Sequence, residues 1–121
     1  MEKVIKIGNK DVKLKSTAGT LRIYRTKFRR DLMCDLAKLT KVMTKKDKVD
    51  FNVLDLEMFE NIAYVMAWQA DQTIPATVEE WLEDFETFSI YEILPEIIEL
   101  WNLTNLSIET SKKNLVAVAV K

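Results

Sequence analysis

The feature that most constrains this chain is a stripe of apolar residues at Leu21, Tyr24, Phe28, Leu32, Leu36, Leu39 and Met43. The steps between them are 3 and 4 throughout. That spacing lays one side of an α-helix against a core. Ser16 and Thr17 stand where a helix N-cap belongs. The spacing therefore predicts one long helix over residues 17–43. Gly19 weakens its first turn slightly. Arg22, Arg25, Lys27, Arg29 and Arg30 fall on its flanks and far side. With only two glycines and two prolines among 121 residues, the chain lacks the turn formers of an all-β sandwich.

Before the stripe, KVIKIGNKDVKLK reads as a β-hairpin. Val4, Ile5 and Ile7 precede a Gly8-Asn9 turn, and Val12 and Leu14 alternate with lysines after it. A two-stranded hairpin is marginal alone and has to pack on a helix. Lysines on its outer face blunt the strand edges. After a charged loop, TKKDKVDFN, a second helix is expected from Leu54 to Asp71. Its core stripe is Leu54, Met58, Ile62, Val65 and Met66, with Trp68 as a large apolar anchor. Asp55 and Glu57 suit the positive end of its dipole.

Ile74 and Pro75 end that helix. Thr77 with Glu80, and Ser89 with Glu92, have the spacing of capping boxes. They predict a third helix through Trp81, Leu82 and Phe85 that ends near Thr87. A fourth carries Ile90, Ile93, Leu94, Ile97, Ile98 and Trp101. Pro95, beyond its first turn, predicts a kink or a later start. From Asn102 the pattern turns polar, and residues 115–120, LVAVAV, form a short β-prone run. The expected fold class is mainly α: a helical domain of about four helices with an N-terminal β-hairpin over residues 1–103. Residues 104–121 are expected to be a tail or a partner-pairing segment.

Chemistry is bounded by what is missing. There is no histidine and only one cysteine, Cys34. Histidine-based nucleophile systems and His or Cys zinc sites are thereby excluded. There is no glycine-rich phosphate loop. Glu92, Glu96 and Glu99 share a helix face, and Glu79, Glu80, Glu83, Asp84 and Glu86 cluster, but a solvated acidic face accounts for both. The reading is a non-enzyme with no metal and no cofactor. No apolar run is long enough to cross a bilayer, and the charged start does not read as a signal peptide. A soluble, cytoplasmic protein is expected.

Charge divides along the chain. Residues 1–48 carry +10, residues 49–111 carry −14 with no Lys or Arg, and the whole chain carries −1. The halves either fold against each other or offer surfaces to an oppositely charged partner, self-association included. Nucleic acid fits poorly, because the acidic half would repel phosphate. The candidate protein-binding residues are Arg22, Arg25, Arg29, Arg30 and three tryptophans, Trp68, Trp81 and Trp101, the residue type that dominates interface hot spots.

Three segments taken in order carry a resemblance: KSTAGTLRIYRTKFRRDLMCDLAKL, FENIAYVMAWQAD and EEWLEDFETFSIYEILPEIIELW. Together they resemble the tail assembly chaperones of long-tailed phages and prophages of Gram-positive bacteria. The most specific pieces are residues 24–31 (YRTKFRRD), Trp68, and residues 81–101. The resemblance implies a protein made in the host cell cytoplasm and missing from the finished virion. Its partners would be the tape measure protein, which it coats, and the tail tube protein, which it recruits. In many such phages a frameshift near the gene's end adds a longer form. The alternatives are a structural head or tail connector, and a nucleic-acid-binding regulator that uses the basic half.

Overall fold

Two residues, Gly8 and Asn9, turn the chain back on itself between β1 (Glu2–Ile7) and β2 (Lys10–Lys15). Gly8 sits at φ 61°, the left-handed conformation that a two-residue hairpin loop requires and that only glycine adopts freely. The strands are antiparallel, with Ile5 opposite Val12 and Lys3 opposite Leu14. Ile5, Ile7 and Leu14 are buried on the inner face, with Val12 partly so. Val4 does not belong with them. The pleat sends it to the other face, where it is 60% exposed. This is a computed structural model, and it describes residues 1–43 and 51–104. Most of the expected charged loop (residues 44–50) and the C-terminal residues 105–121 lie outside the described residues.

The long helix expected over residues 17–43 is two helices, α1 (Ala18–Phe28) and α2 (Leu32–Met43). Thr17 caps α1: its hydroxyl accepts from the Gly19 N–H at 3.2 Å, and its own N–H donates to the Thr20 hydroxyl at 2.9 Å. Arg29 closes α1 in the left-handed region at φ 58°, with its N–H on the Arg25 carbonyl. Asp31 then starts α2, and its carboxylate accepts the Cys34 N–H at 3.1 Å. A side chain that satisfies the orphan amides of a new first turn competes with continuing the old one. The apolar stripe survives this corner, and Tyr24, Leu32, Leu36 and Leu39 are all buried.

α3 (Val53–Ala70) is the axis of the domain. Asn52 and Asp55 cap its start reciprocally, at 2.8 and 3.1 Å. Met58 and Phe59 are buried, and so is every residue from Ile62 to Ala67. A helix buried on every side carries apolar residues all round and not in one stripe. Here β2, α1, α2 and α4 all pack against it.

The carboxylate of Asp71 stops α3 by accepting from the N–H and hydroxyl of Thr73. α4 (Val78–Leu82) is capped by the Thr77 hydroxyl at 3.2 Å from the Glu80 N–H. It is shorter than the helix expected to reach Thr87. Turn residues follow it, and they bring Phe85 and Phe88 against Trp81 at ring separations of 5.1 and 5.4 Å. α5 covers residues 90–104 and runs continuously through Pro95, with no later start. It also continues past Trp101, where a change of pattern was expected. Ile90, Ile93, Leu94, Ile97, Leu100 and Trp101 are its buried residues, while Ile98 is only partly covered. The molecule is mainly helical, with five helices and one two-stranded antiparallel sheet among the described residues.

Two contacts join the ends of the domain. Lys3 on β1 pairs with Glu96 and Glu99 of α5. The Thr104 hydroxyl donates to the Ser16 carbonyl at 3.2 Å, and the Ser16 N–H donates to the Met1 carbonyl at 2.8 Å.

Candidate functional site

The candidate residues scatter once the chain folds. Trp81 and Trp101 are 2% and 5% exposed and belong to the core. Trp81 packs edge-on to Tyr64, at 5.7 Å, on the core side of that ring. Arg30 is committed within the chain. Its guanidinium grips Asp35 with two bonds, Nε at 2.7 Å and Nη2 at 2.9 Å. The buried Tyr24 hydroxyl donates to the same carboxylate at 2.6 Å. Arg22, Arg25 and Arg29 remain exposed on α1. Of the three tryptophans, Trp68 alone reaches the surface, half-buried at the point where α3 leaves the core.

Trp68 forms one wall of a groove of about 770 Å³ between α1 and α3. Ile23, Tyr64, Trp68 and Ala76 supply its apolar surface, and Arg22 and Lys27 stand on its rim. The sequence spacing explains how the groove is built. On α1, residues 19, 23 and 27 lie one helical turn apart, beside the core stripe. On α3, Tyr64 and Trp68 are likewise one turn apart. Gly19 leaves the α1 side of the groove without a side chain.

Hydrogen bonds hold the walls in place. Gln69 bridges to α1, donating to the Thr17 hydroxyl and accepting from the Thr20 hydroxyl, both at 2.6 Å. Tyr64 donates its hydroxyl to the Pro75 carbonyl at 2.5 Å, which fastens the segment after α3. Burial, followed by the nearby charge of Glu80, pushes the Tyr64 hydroxyl above its ordinary pKa. Lys27 lies over the Tyr64 ring, 5.3 Å from its centroid.

A second hollow, about 520 Å³, shares Lys27 and Ala76 with the first. Its walls are Phe28 and Leu82 with three carboxylates, Glu57, Glu60 and Glu79. Burial, then the charges of Glu57 and Glu79, hold the Glu60 carboxyl above the usual carboxylate range. The two hollows meet at Lys27, whose ammonium donates to the Ala76 carbonyl at 3.5 Å, with Arg22 beyond it on one side and Glu57, Glu60 and Glu79 on the other.

Among the described residues, Lys3 joins the basic half to the acidic one through Glu96 and Glu99. The other pairs are Lys13 with Glu2 and Arg30 with Asp35, both inside the basic half. Among the described residues, Arg22, Arg25 and Arg29 have no carboxylate at ion-pair distance, and Glu57, Glu60, Glu79 and Glu80 have no cation there.

A further apolar surface lies between α2 and α5, where Met33, Ala37, Met43, Ile98 and Leu103 line hollows of about 490 and 390 Å³. Among the described residues, no group of three His, Cys, Asp or Glu side chains could hold a metal ion. Cys34 is exposed. No helix among them is long and apolar enough to cross a membrane. The two hollows beside Lys27 can hold apolar side chains and neutralise their charged neighbours. Sequence reasoning found Trp68 and Arg22. It missed Ile23, Tyr64, Lys27 and Ala76, although the one-turn spacings on α1 and α3 carried that signal. Compared with family models, curated proteins and solved structures, the chain finds no significant match.

Proposed function

We propose that this protein is a tail assembly chaperone of a long-tailed phage or prophage. In this reading it acts in the host cytoplasm, shields apolar helical segments of the tape measure protein, helps recruit tail tube protein, and leaves before the virion is complete. It catalyses no reaction. The observation that carries the reading is the Trp68 groove. A half-buried tryptophan, flanked by Ile23 and Tyr64 and rimmed by cations, is suited to take the apolar face of a partner helix. The resemblance of residues 24–31, Trp68 and residues 81–101 to that family supports the choice of partner. Many copies bound along one long chain would gain avidity from each other, so a modest single-site affinity suffices.

Coexpression tests it. A tape measure protein, a very long helical chain, should become soluble and copurify with this chain. Trp68→Ala should release it while the helical circular dichroism is retained, with a lower melting temperature because the ring also packs on the core. Hot-spot tryptophans cost about 2 kcal/mol or more on truncation, which corresponds to roughly a 30-fold loss of affinity. A tape measure protein that stays insoluble and unbound beside the wild-type chain would refute the proposal.

A further inference from the structure

We infer that the surface spanning the two hollows selects a helical segment of mixed charge, with carboxylates flanking its apolar face at one end and Lys or Arg flanking it at the other. The inference rests on the reading of the Trp68 groove as a docking site and adds the chemistry of the occupant.

The argument is one of charge complementarity across the two hollows. At one end Arg22 stands over Ile23 and Trp68. At the other, Glu57, Glu60 and Glu79 surround Phe28 and Leu82. Lys27 and Ala76, joined by a hydrogen bond at 3.5 Å, are common to both hollows, and a helix seated on both would cross the surface at this pair. Among the described residues Arg22 has no carboxylate at ion-pair distance, and Lys27 is the one cation lining the hollow of the three glutamates, without an ion pair to any of them. An occupant of one sign would leave one of the two hollows facing like charge, and such juxtaposition is penalised more than a matched rim pair is rewarded. Glu60 sharpens the requirement. It is half-buried and crowded by two other carboxylates, so an incoming cation relieves repulsion already present.

Three fluorescently labelled helical peptides test this against the full chain, by anisotropy at low salt. They share one apolar face at i, i+3, i+4 spacing. One has acidic flanks in its first half and basic flanks in its second, one is acidic throughout, and one is basic throughout. A helix can lie either way round in a groove, so uniform charge is the informative control and reversed order is not. The mixed peptide should bind about tenfold more tightly than either uniform one, two or three rim pairs supplying the difference. The gap should close in molar salt. Arg22→Glu, an exposed substitution whose fold is checked by melting, should make the basic peptide the tightest.

If a uniform peptide equals the mixed one, or if Arg22→Glu leaves the ranking unchanged, the charge inference is overturned. Loss of all binding in Trp68→Ala would still leave the docking site standing in that case. Binding that ignores Trp68→Ala sinks the docking reading itself. A dimer in sedimentation that the mixed peptide dissociates would identify a second copy of this chain as the occupant and overturn the inference.

Discussion

Asp35→Asn removes the charge that holds the corner between α1 and α2 with almost no change in shape. Asp35 is 2% exposed and Tyr24 is fully buried. The carboxylate accepts three hydrogen bonds, at 2.6, 2.7 and 2.9 Å. An amide there still accepts from the Tyr24 hydroxyl but turns a donor toward the guanidinium. Both charge-assisted bonds to Arg30 are degraded. Hydrogen bonds to charged groups contribute about 1.5–3 kcal/mol each when buried. Breaking a fully buried ion pair costs about 3–5 kcal/mol. The Arg30 side chain is 37% exposed and can turn partly to water, so the smaller end applies. The expected loss is about 2–3 kcal/mol, against a total stability of about 5–15 kcal/mol for a domain of this kind. Urea denaturation followed by circular dichroism should show the midpoint falling with the slope unchanged. Tyr24→Phe should cost less, about 1–2 kcal/mol, since Asp35 keeps Arg30. Replacing all three members of the network, Tyr24→Phe with Arg30→Met and Asp35→Leu, should recover most of the loss, because neither an unpaired charge nor an orphaned hydroxyl is left behind. A loss below about 0.5 kcal/mol for Asp35→Asn, the range of ordinary surface substitutions, would refute the view that this network fixes the corner.

Three further outcomes follow from single groups. Ser16→Ala should stabilise the domain by about 1 kcal/mol, read as a higher melting temperature, because the Ser16 hydroxyl is buried without a hydrogen-bond partner among the described residues. Gly8→Ala should cost about 1–2 kcal/mol in the same assay, since a Cβ at φ 61° is strained and would meet the Thr87 hydroxyl at 3.2 Å. Acid should act through Asp35: burial pushes its carboxyl up, but the bonds from Arg30 and Tyr24 outweigh this and hold it below the usual carboxylate range. Its contribution is therefore complete above about pH 4 and lost as pH falls through the depressed folded value. The stability difference between wild type and Asp35→Asn should be flat from pH 7 to 5 and shrink below about pH 4.

What the sequence reveals follows the strength of its periodicity. The hairpin was legible because Gly8-Asn9 separates two alternating runs, and the register then follows from a two-residue loop. The start of α3 could be placed within a residue from its apolar spacing and the acidic residues near its beginning. The corner at Arg29 was not legible, because the apolar stripe keeps its 3–4 spacing straight across it. The break comes from a left-handed arginine and an aspartate cap, and neither disturbs hydrophobicity. Trp81 and Trp101 were read as possible anchors because composition says nothing of where an aromatic points. Five aromatic rings, Phe59, Tyr64, Trp81, Phe85 and Phe88, stack into one cluster only after the turn following α4. Half of the groove was legible, through Trp68 and Arg22. The acidic end was hidden, because Glu57, Glu60 and Glu79 come from two separate helices.

α3 is walled in from Ile62 to Ala67 and surfaces again at Trp68, immediately after that buried run. The indole is thus both the last tooth of the interior and the first contact offered outward. Whatever rests on it lengthens the protein's own interior by one more layer. A guest seated there should raise the melting point in proportion to the logarithm of its concentration.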